Sequence, residues 1–384
     1  MDILSKEQLS VLMEYRDELC VSLYMPAFRT GPEKRQNQIR FKNLVRKAEE
    51  QLNAKHLRSG RVEDFLSSIK PLVNNNQFWS FFQSEGFCAF ISGKDLFYFR
   101  LPLRFDENVT VSGRFHLKPV LGLVYNDSRF FMLALGLNGA RFFQCSRYSI
   151  NELVMDKVPK NFEEAMQYNE QQKQLQYHTN AAQSGGRGIA VFHGQGGGID
   201  DKKSNILQYF KLVDHGVSGV IGQEKAPLLF AGLDHLFGIY KKANSYPYLA
   251  REILAINPED RTDAELHERA VGVMGSYFLA ARDEAIDSYL NLAGTGRTAG
   301  DIETILPEAF GGRVDSLLVS PRVPQWGRFD PVSRKVDLHE SRSGDDEDLL
   351  DLACAYTYLK GGAVYDIAPG SVPGVPSPAA VFRY

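Results

Sequence analysis

An unbroken apolar run, Ala226-Pro-Leu-Leu-Phe-Ala-Gly232, lies between two segments whose apolar residues recur at helical spacing, 205–220 and 233–243. A short run without polar alternation reads as a strand buried on both faces, and such a strand needs helices to cover it. Helix, strand and helix in that order predict an α/β arrangement. Other segments fit the same logic. Cys20–Phe28 reads as a strand ending near Pro26, and Phe41, Leu44, Val45, Ala48 and Leu52 fall on one stripe of a helix. Phe87–Leu101 reads as a hairpin turning at Gly93-Lys94-Asp95. A second hairpin turns at Leu137-Asn138-Gly139, where Asn-Gly tolerates positive φ. The last third predicts one long helix from about Glu268 through Tyr289 and a short helix starting at Asp301. A strand at Asp315–Ser320, a helix at Glu347–Lys360 and strands at Ala363–Ile367 and Ala379–Tyr384 complete it. The fold class expected is mixed α/β (α+β) in three domains, 1–118, 119–266 and 267–384.

Composition narrows the function. With 384 residues and 43% hydrophobic content the chain can bury several cores, and a net charge of -3 argues against non-specific coating of nucleic acid. The four cysteines are far apart, with no CxxC pair, so neither a disulfide framework nor a structural metal is expected. No cofactor and no metal are expected. The amino-terminal MDILSKEQLSVLMEY carries acids and lacks the apolar core of a signal or membrane span, so the expected location is the cytoplasm, with no membrane and no DNA as partners. Ser341–Leu350, rich in acids, reads as the solvated start of a helix.

Two stretches invite chemistry. From Arg29 to Lys47 seven basic side chains, including Arg35, Arg40, Arg46 and Lys47, stand against one acid, Glu33. That balance fits either a solvated helix face or an RNA-facing surface. The second stretch is Val191–Asn205, where His193 leads into Gly194-Gln195-Gly196-Gly197-Gly198 ahead of Asp200, Asp201, Lys202 and Lys203. A glycine loop feeding a helix N-terminus offers free N–H groups and the positive end of the helix dipole to an anion. His193, Lys202 and Lys203 are candidate phosphate contacts. The loop fits neither phosphate-binding motif. Lys202 stands where a P-loop requires glycine, and Ile199 stands where the dinucleotide fingerprint requires its third glycine. A glycine turn serving only the backbone, and a small-anion or nucleotide-phosphate binding protein, therefore both remain open.

The hexamer His193–Gly198 resembles the H-G-R-G-G-Q loop of archaeo-eukaryotic class I peptide-chain release factors. Pro227–Phe237 resembles that family's LVLAGSADF segment, and Asp348–Ile367 with Ala379–Tyr384 resembles its closing helix and strands. Val21–Phe28 resembles its first strand, so the likeness spans nearly the whole chain and extends to the related rescue factor Pelota. The resemblance implies an amino-terminal domain facing the decoding region, a middle RNase H-like domain carrying the loop, and a carboxy-terminal domain for partners. It implies the ribosome and tRNA as partners and leaves open whether a translational GTPase accompanies them. In the family the loop enters the peptidyl-transferase centre, and its Gln helps place water on the peptidyl-tRNA ester. Here Gly198 stands in the place of that Gln, and Gln195 in the place of the Arg. The candidate catalytic loop is thus Gln195, Gly196, Gly197 and Gly198, either a peptidyl-tRNA hydrolase in which Gln195 acts from a shifted position or a loop that binds without cleaving. Asn37-Gln38-Ile39-Arg40 stands where the stop-codon reader carries NIKS, so codon-specific decoding is not implied.

Overall fold

The computed structural model describes residues 4–55, 59–81, 84–93, 95–125, 129–156, 158–167 and 199–384. They form two compact units, one of Met1–Asn126 with Ala280–Tyr384 and one of Asp127–Leu279.

The first unit begins with α1 (Lys6–Glu14). Its Ser5 cap accepts from the Gln8 N–H while the Gln8 side chain accepts from the Ser5 N–H, so two orphan donors are satisfied at once. Strands β1 (Cys20–Pro26), β2 (Gly86–Ser92), β3 (Asp95–Leu101) and β4 (Asn108–Ser112) make an antiparallel sheet in the order β3-β2-β1-β4. Alternation along β1 sends Val21, Leu23 and Met25 to one face and Cys20 and Tyr24 to the other. The first face is covered by α2 (Gln36–Ala54) through the expected stripe of Phe41, Leu44, Val45, Ala48 and Leu52. The second face joins a core with residues from the carboxy-terminal segment, among them Leu317, Leu350, Ala353 and Phe382. Both central strands are covered on both sides, which is why β1 and β2 read as nearly unbroken apolar runs.

In the second unit β5 (Phe130–Leu135), β6 (Ala140–Cys145), β7 (Ile150–Leu153), β8 (Leu228–Gly232) and β9 (Leu249–Ala255) take the order β7-β6-β5-β8-β9. The first three are antiparallel, while β5, β8 and β9 are parallel. This is the RNase H-like arrangement that the resemblance implies. Helices α3 (Ile199–Ile221) and α4 (Asp234–Ala243) cover one face through Phe210, Val213, Val217, Leu236 and Tyr240, and α5 (Asp263–Val273) covers the other through Leu266 and Ala270. Gly232 ends β8 where a Cβ would come within 2.6 Å of the Leu135 carbonyl oxygen, so a larger residue there would push the paired strands apart. The Asn138-Gly139 hairpin is held by Glu259, which accepts from the Asn138 N–H and Nδ2 at 3.1 and 2.6 Å.

The carboxy-terminal segment supplies α6 (Gly275–Leu292), α7 (Ile302–Phe310, capped by Asp301) and a sheet of β10 (Thr298–Ala299), β11 (Val314–Val319), β15 (Ala363–Asp366) and β16 (Ala379–Phe382). Its strand order is β10-β16-β11-β15, with β11 and β15 parallel. A second sheet, β13-β12-β14, is built from β12 (Trp326–Asp330), β13 (Lys335–His339) and β14 (Glu347–Asp348), ahead of α8 (Leu349–Leu359). Among the described residues no helix is long and apolar enough to cross a membrane, and no group of three or more His, Cys, Asp or Glu could hold a metal ion. All four cysteines are free and buried, and burial pushes the Cys145 thiol up to about 12.

Three expectations are corrected. The single helix of 268–289 is two helices, because a Thr262–Glu265 capping box starts α5 earlier and the chain breaks at Met274 before Gly275. The helix read over 205–220 begins at Ile199, directly after the glycines, where the glycine-loop reading puts a helix N-terminus. The acidic stretch Ser341–Leu350 is not a solvated helix start, since Asp346 and Asp348 are buried and paired.

Candidate nucleic-acid interface

Helix α2 distributes its basic residues over two stripes. Arg35, Ile39, Lys42 and Arg46 follow one another by four, three and four residues, so they share one exposed face. Arg40 and Lys47, one heptad apart, turn instead to Glu107 in the loop before β4, at 3.8 and 4.0 Å. Arg40 also donates to Glu33 at 2.6 Å, and its guanidinium lies 4.9 Å from the centre of the Phe28 ring. Arg29 meets Glu85 at 3.6 Å, and Arg46 meets Glu50 one turn on at 3.7 Å. Tertiary structure thus brings acids to a run that looks almost purely basic in sequence. Lys34, Arg35 and Lys42 have no acidic partner among the described residues. Exposed pairs such as Arg46–Glu50 contribute little to stability, so Arg46 can be drawn to a polyanion at small cost.

Asn37 is buried and holds the loop after β1. Its Oδ1 accepts from the Phe28 N–H at 3.1 Å, and its Nδ2 donates to the Phe28 carbonyl at 3.0 Å. Gln38 donates to the Val73 carbonyl and the Asn76 Oδ1, both at 2.9 Å. The first two residues at the NIKS position are therefore tied into the fold, and Ile39 is the one that stands out, 53% exposed.

In the second unit Lys202 and Lys203 are exposed near the start of α3, where the helix dipole and two ammonium groups place positive charge together. His193, Gln195, Gly196, Gly197 and Gly198 lie outside the described residues.

Sequence reasoning missed a buried ionic cluster inside the first unit. Arg114, His116 and Lys118 follow β4 and meet Glu347, Asp348 and Asp351 at the start of α8. The Arg114 Nε donates to Glu347 at 2.5 Å, its Nη1 lies 2.6 Å from Asp351, and its Nη2 donates to the Asp348 carbonyl at 3.1 Å. Lys118 Nζ donates to Asp348 at 2.7 Å and to the Val323 carbonyl at 2.9 Å. Asp351 Oδ1 also accepts from the Leu117 N–H at 2.7 Å. Burial works to raise the Asp351 carboxyl, but Arg114 and His116 outweigh it and hold the group below its ordinary value. Burial lowers His116, and the nearby carboxylates only partly oppose it. The signal available beforehand was the spacing: three bases at alternate positions and three acids within five residues, each set beside large apolar residues.

Residues 130–276 match the family model of bacterial archaeo-eukaryotic release factor family 7. That span covers the five-stranded sheet and its helices, together with the glycine loop. A search of curated proteins returns no match. Among solved structures, the chain is similar to Archaeoglobus fulgidus Pelota at 14% identity and a TM-score of 0.35, covering 78% of this chain and 79% of that one. It is similar to an archaeal translation termination factor at 15% identity and a TM-score of 0.24, covering 98% and 96%. Similarity to Saccharomyces cerevisiae Dom34, a translation termination-like factor, is at 10% identity and a TM-score of 0.33, covering 75% and 73%. The segment that matches this release-factor family is the one arranged as an RNase H-like sheet.

Proposed function

We propose that the protein is a ribosome-associated factor of termination or rescue type that occupies a stalled ribosome without cleaving peptidyl-tRNA. The observation that carries this reading is the family match over the domain holding the glycine loop. In this reading the Arg35–Lys42–Arg46 stripe meets ribosomal or transfer RNA, with Arg40 and Lys47 set behind it. In the same reading residues 193–198 serve the tRNA end, and Lys202 and Lys203 contact phosphate. The three-part division, 1–118, 119–266 and 267–384, gives these roles to separate sheets. A translational GTPase is a candidate partner for the last of them. Replacement of the family's Gln by Gly198 supports binding over hydrolysis, because glycine offers no side chain to orient water.

The deciding experiment measures peptide release from purified peptidyl-tRNA on stalled ribosomes, with wild type, Gln195→Ala and Gly197→Ala. Ribosome binding without release in all three is the expected result. Release by wild type that both substitutions abolish would replace the binding role with ester hydrolysis from a rearranged loop.

A further inference from the structure

The first unit carries a second basic feature, which no run of charge in the sequence announces. Arg104, in the loop between β3 and β4, is exposed and lies 5.2 Å from the centre of the Phe28 ring. Phe28 is also the ring under Arg40, and its backbone N–H donates to, and its carbonyl accepts from, the buried Asn37 side chain. The neighbouring charges are largely spoken for: Arg29 pairs with Glu85, and Arg40 lies between Glu33 and Glu107. Arg104 has no acidic partner among the described residues, even though Asp106 and Glu107 follow it within three positions. Asp106 is instead within 3.6 Å of Arg322.

An exposed arginine ordinarily samples many rotamers and loses that freedom on binding. Here an aromatic residue, tied to the fold through its backbone, holds the guanidinium in advance. A pre-organised, uncompensated guanidinium is suited to bidentate contact with a phosphate, and guanidinium planes also serve as stacking surfaces for unpaired bases.

We infer that Arg104, laid over Phe28, is an RNA-backbone contact of the first unit that acts alongside the Arg35–Lys42–Arg46 stripe of α2. The inference rests on the ribosomal reading above and adds a residue from a different element. RNA is favoured over an acidic peptide because the site joins a free guanidinium to an aromatic platform, a pairing that reads both phosphate and base.

The test uses the full-length chain and purified ribosomes, with affinity measured across a range of salt for wild type, Arg104→Ala and Arg104→Lys. Arg104→Ala is expected to weaken binding about tenfold and to flatten the log affinity against log salt plot by about 0.7–0.9, one phosphate's worth of released counterion. Arg104→Lys keeps the charge but loses the planar guanidinium, so it is expected to retain the slope and recover only part of the affinity. An unchanged slope in Arg104→Ala, with or without lost affinity, overturns the inference; if the α2 reversal Arg35→Glu/Lys42→Glu/Arg46→Glu still abolishes binding, the ribosomal reading stands. Wild-type protein that does not bind ribosomes overturns both.

Discussion

The α2 face and the Arg114 cluster are both charged, and they solve opposite problems. On α2 the bases outnumber the acids that reach them, the Arg35–Lys42–Arg46 stripe is exposed, and apart from the short Arg40–Glu33 pair the contacts are long. Around Arg114 the charges of Arg114, Lys118, Asp348 and Asp351 are buried and opposed, with Glu347 half-buried at the margin, and the bonds of Arg114 and Lys118 are close to 3 Å or less. The first arrangement leaves positive charge available to a partner and adds little to stability. The second offers nothing to a partner and makes folding depend on each member, because losing one leaves its opposite stranded in a low-dielectric interior. Charge density in a sequence therefore says nothing by itself about binding. What separates the two regions is whether tertiary structure supplies the counter-charge.

This contrast can be broken by substitution. Arg114→Ala strands Glu347 and Asp351 and is expected to cost about 3–5 kcal/mol in urea unfolding, with ribosome binding of the folded fraction unchanged. A loss under 1 kcal/mol, as an order-of-magnitude line, would mean that the cluster is already wet and not the interior lock described here. Next in size, Asn37→Ala removes two side-chain bonds to the Phe28 backbone and should cost about 1–3 kcal/mol. It should also loosen Phe28 beneath Arg104, so ribosome affinity should fall with stability; affinity that stays put would separate Asn37 from the RNA surface.

A smaller effect follows from His116. Its folded value is depressed below the ordinary 6.5, so the unfolded chain binds the extra proton more readily between the two values. Stability from this group is present above pH 6.5 and is lost as pH falls below it. Asp351, also depressed, loses its contribution only further down, below the ordinary carboxylate value of 3.8. Unfolding followed from pH 7.5 to 5.5 should show a decline of less than about 1.4 kcal/mol per pH unit, the limit for one proton. The decline should be flatter in His116→Gln. The same decline in His116→Gln would assign it to another group. Smallest of all, the Arg35→Glu/Lys42→Glu/Arg46→Glu variant should unfold within about 0.5 kcal/mol per site of wild type, since none of its side chains is part of a core.

Much of the fold was legible because patterning and burial agree. The apolar run at Ala226–Gly232, the Asn138-Gly139 turn and the α2 stripe each appear where periodicity places them. What was illegible depends on contacts between distant parts of the chain. The strand β9 has exposed charges on an edge and no unbroken apolar run, and the β12–β13 hairpin is short and mostly exposed, so neither carries a clear period. Asp346, Asp348 and Asp351 look like a solvent face until His339, Lys118 and Arg114 arrive from elsewhere. The site was legible in part for the same reason. Arg35 and Arg46 are exposed as their helical positions suggest, while Arg40 and Lys47 turn toward Glu107, which lies sixty residues or more away in sequence. Arg104 could not be found from a charge run, because its importance comes from the ring beneath it.

The measurement that bears most directly on the account is co-sedimentation of the full-length protein with purified ribosomes, comparing wild type with Arg35→Glu/Lys42→Glu/Arg46→Glu. The account predicts that wild type pellets with ribosomes, that binding weakens steeply with salt, and that the triple reversal remains in the supernatant while folding as wild type does. Equal pelleting of the two proteins would contradict the account and remove α2 as the ribosomal surface.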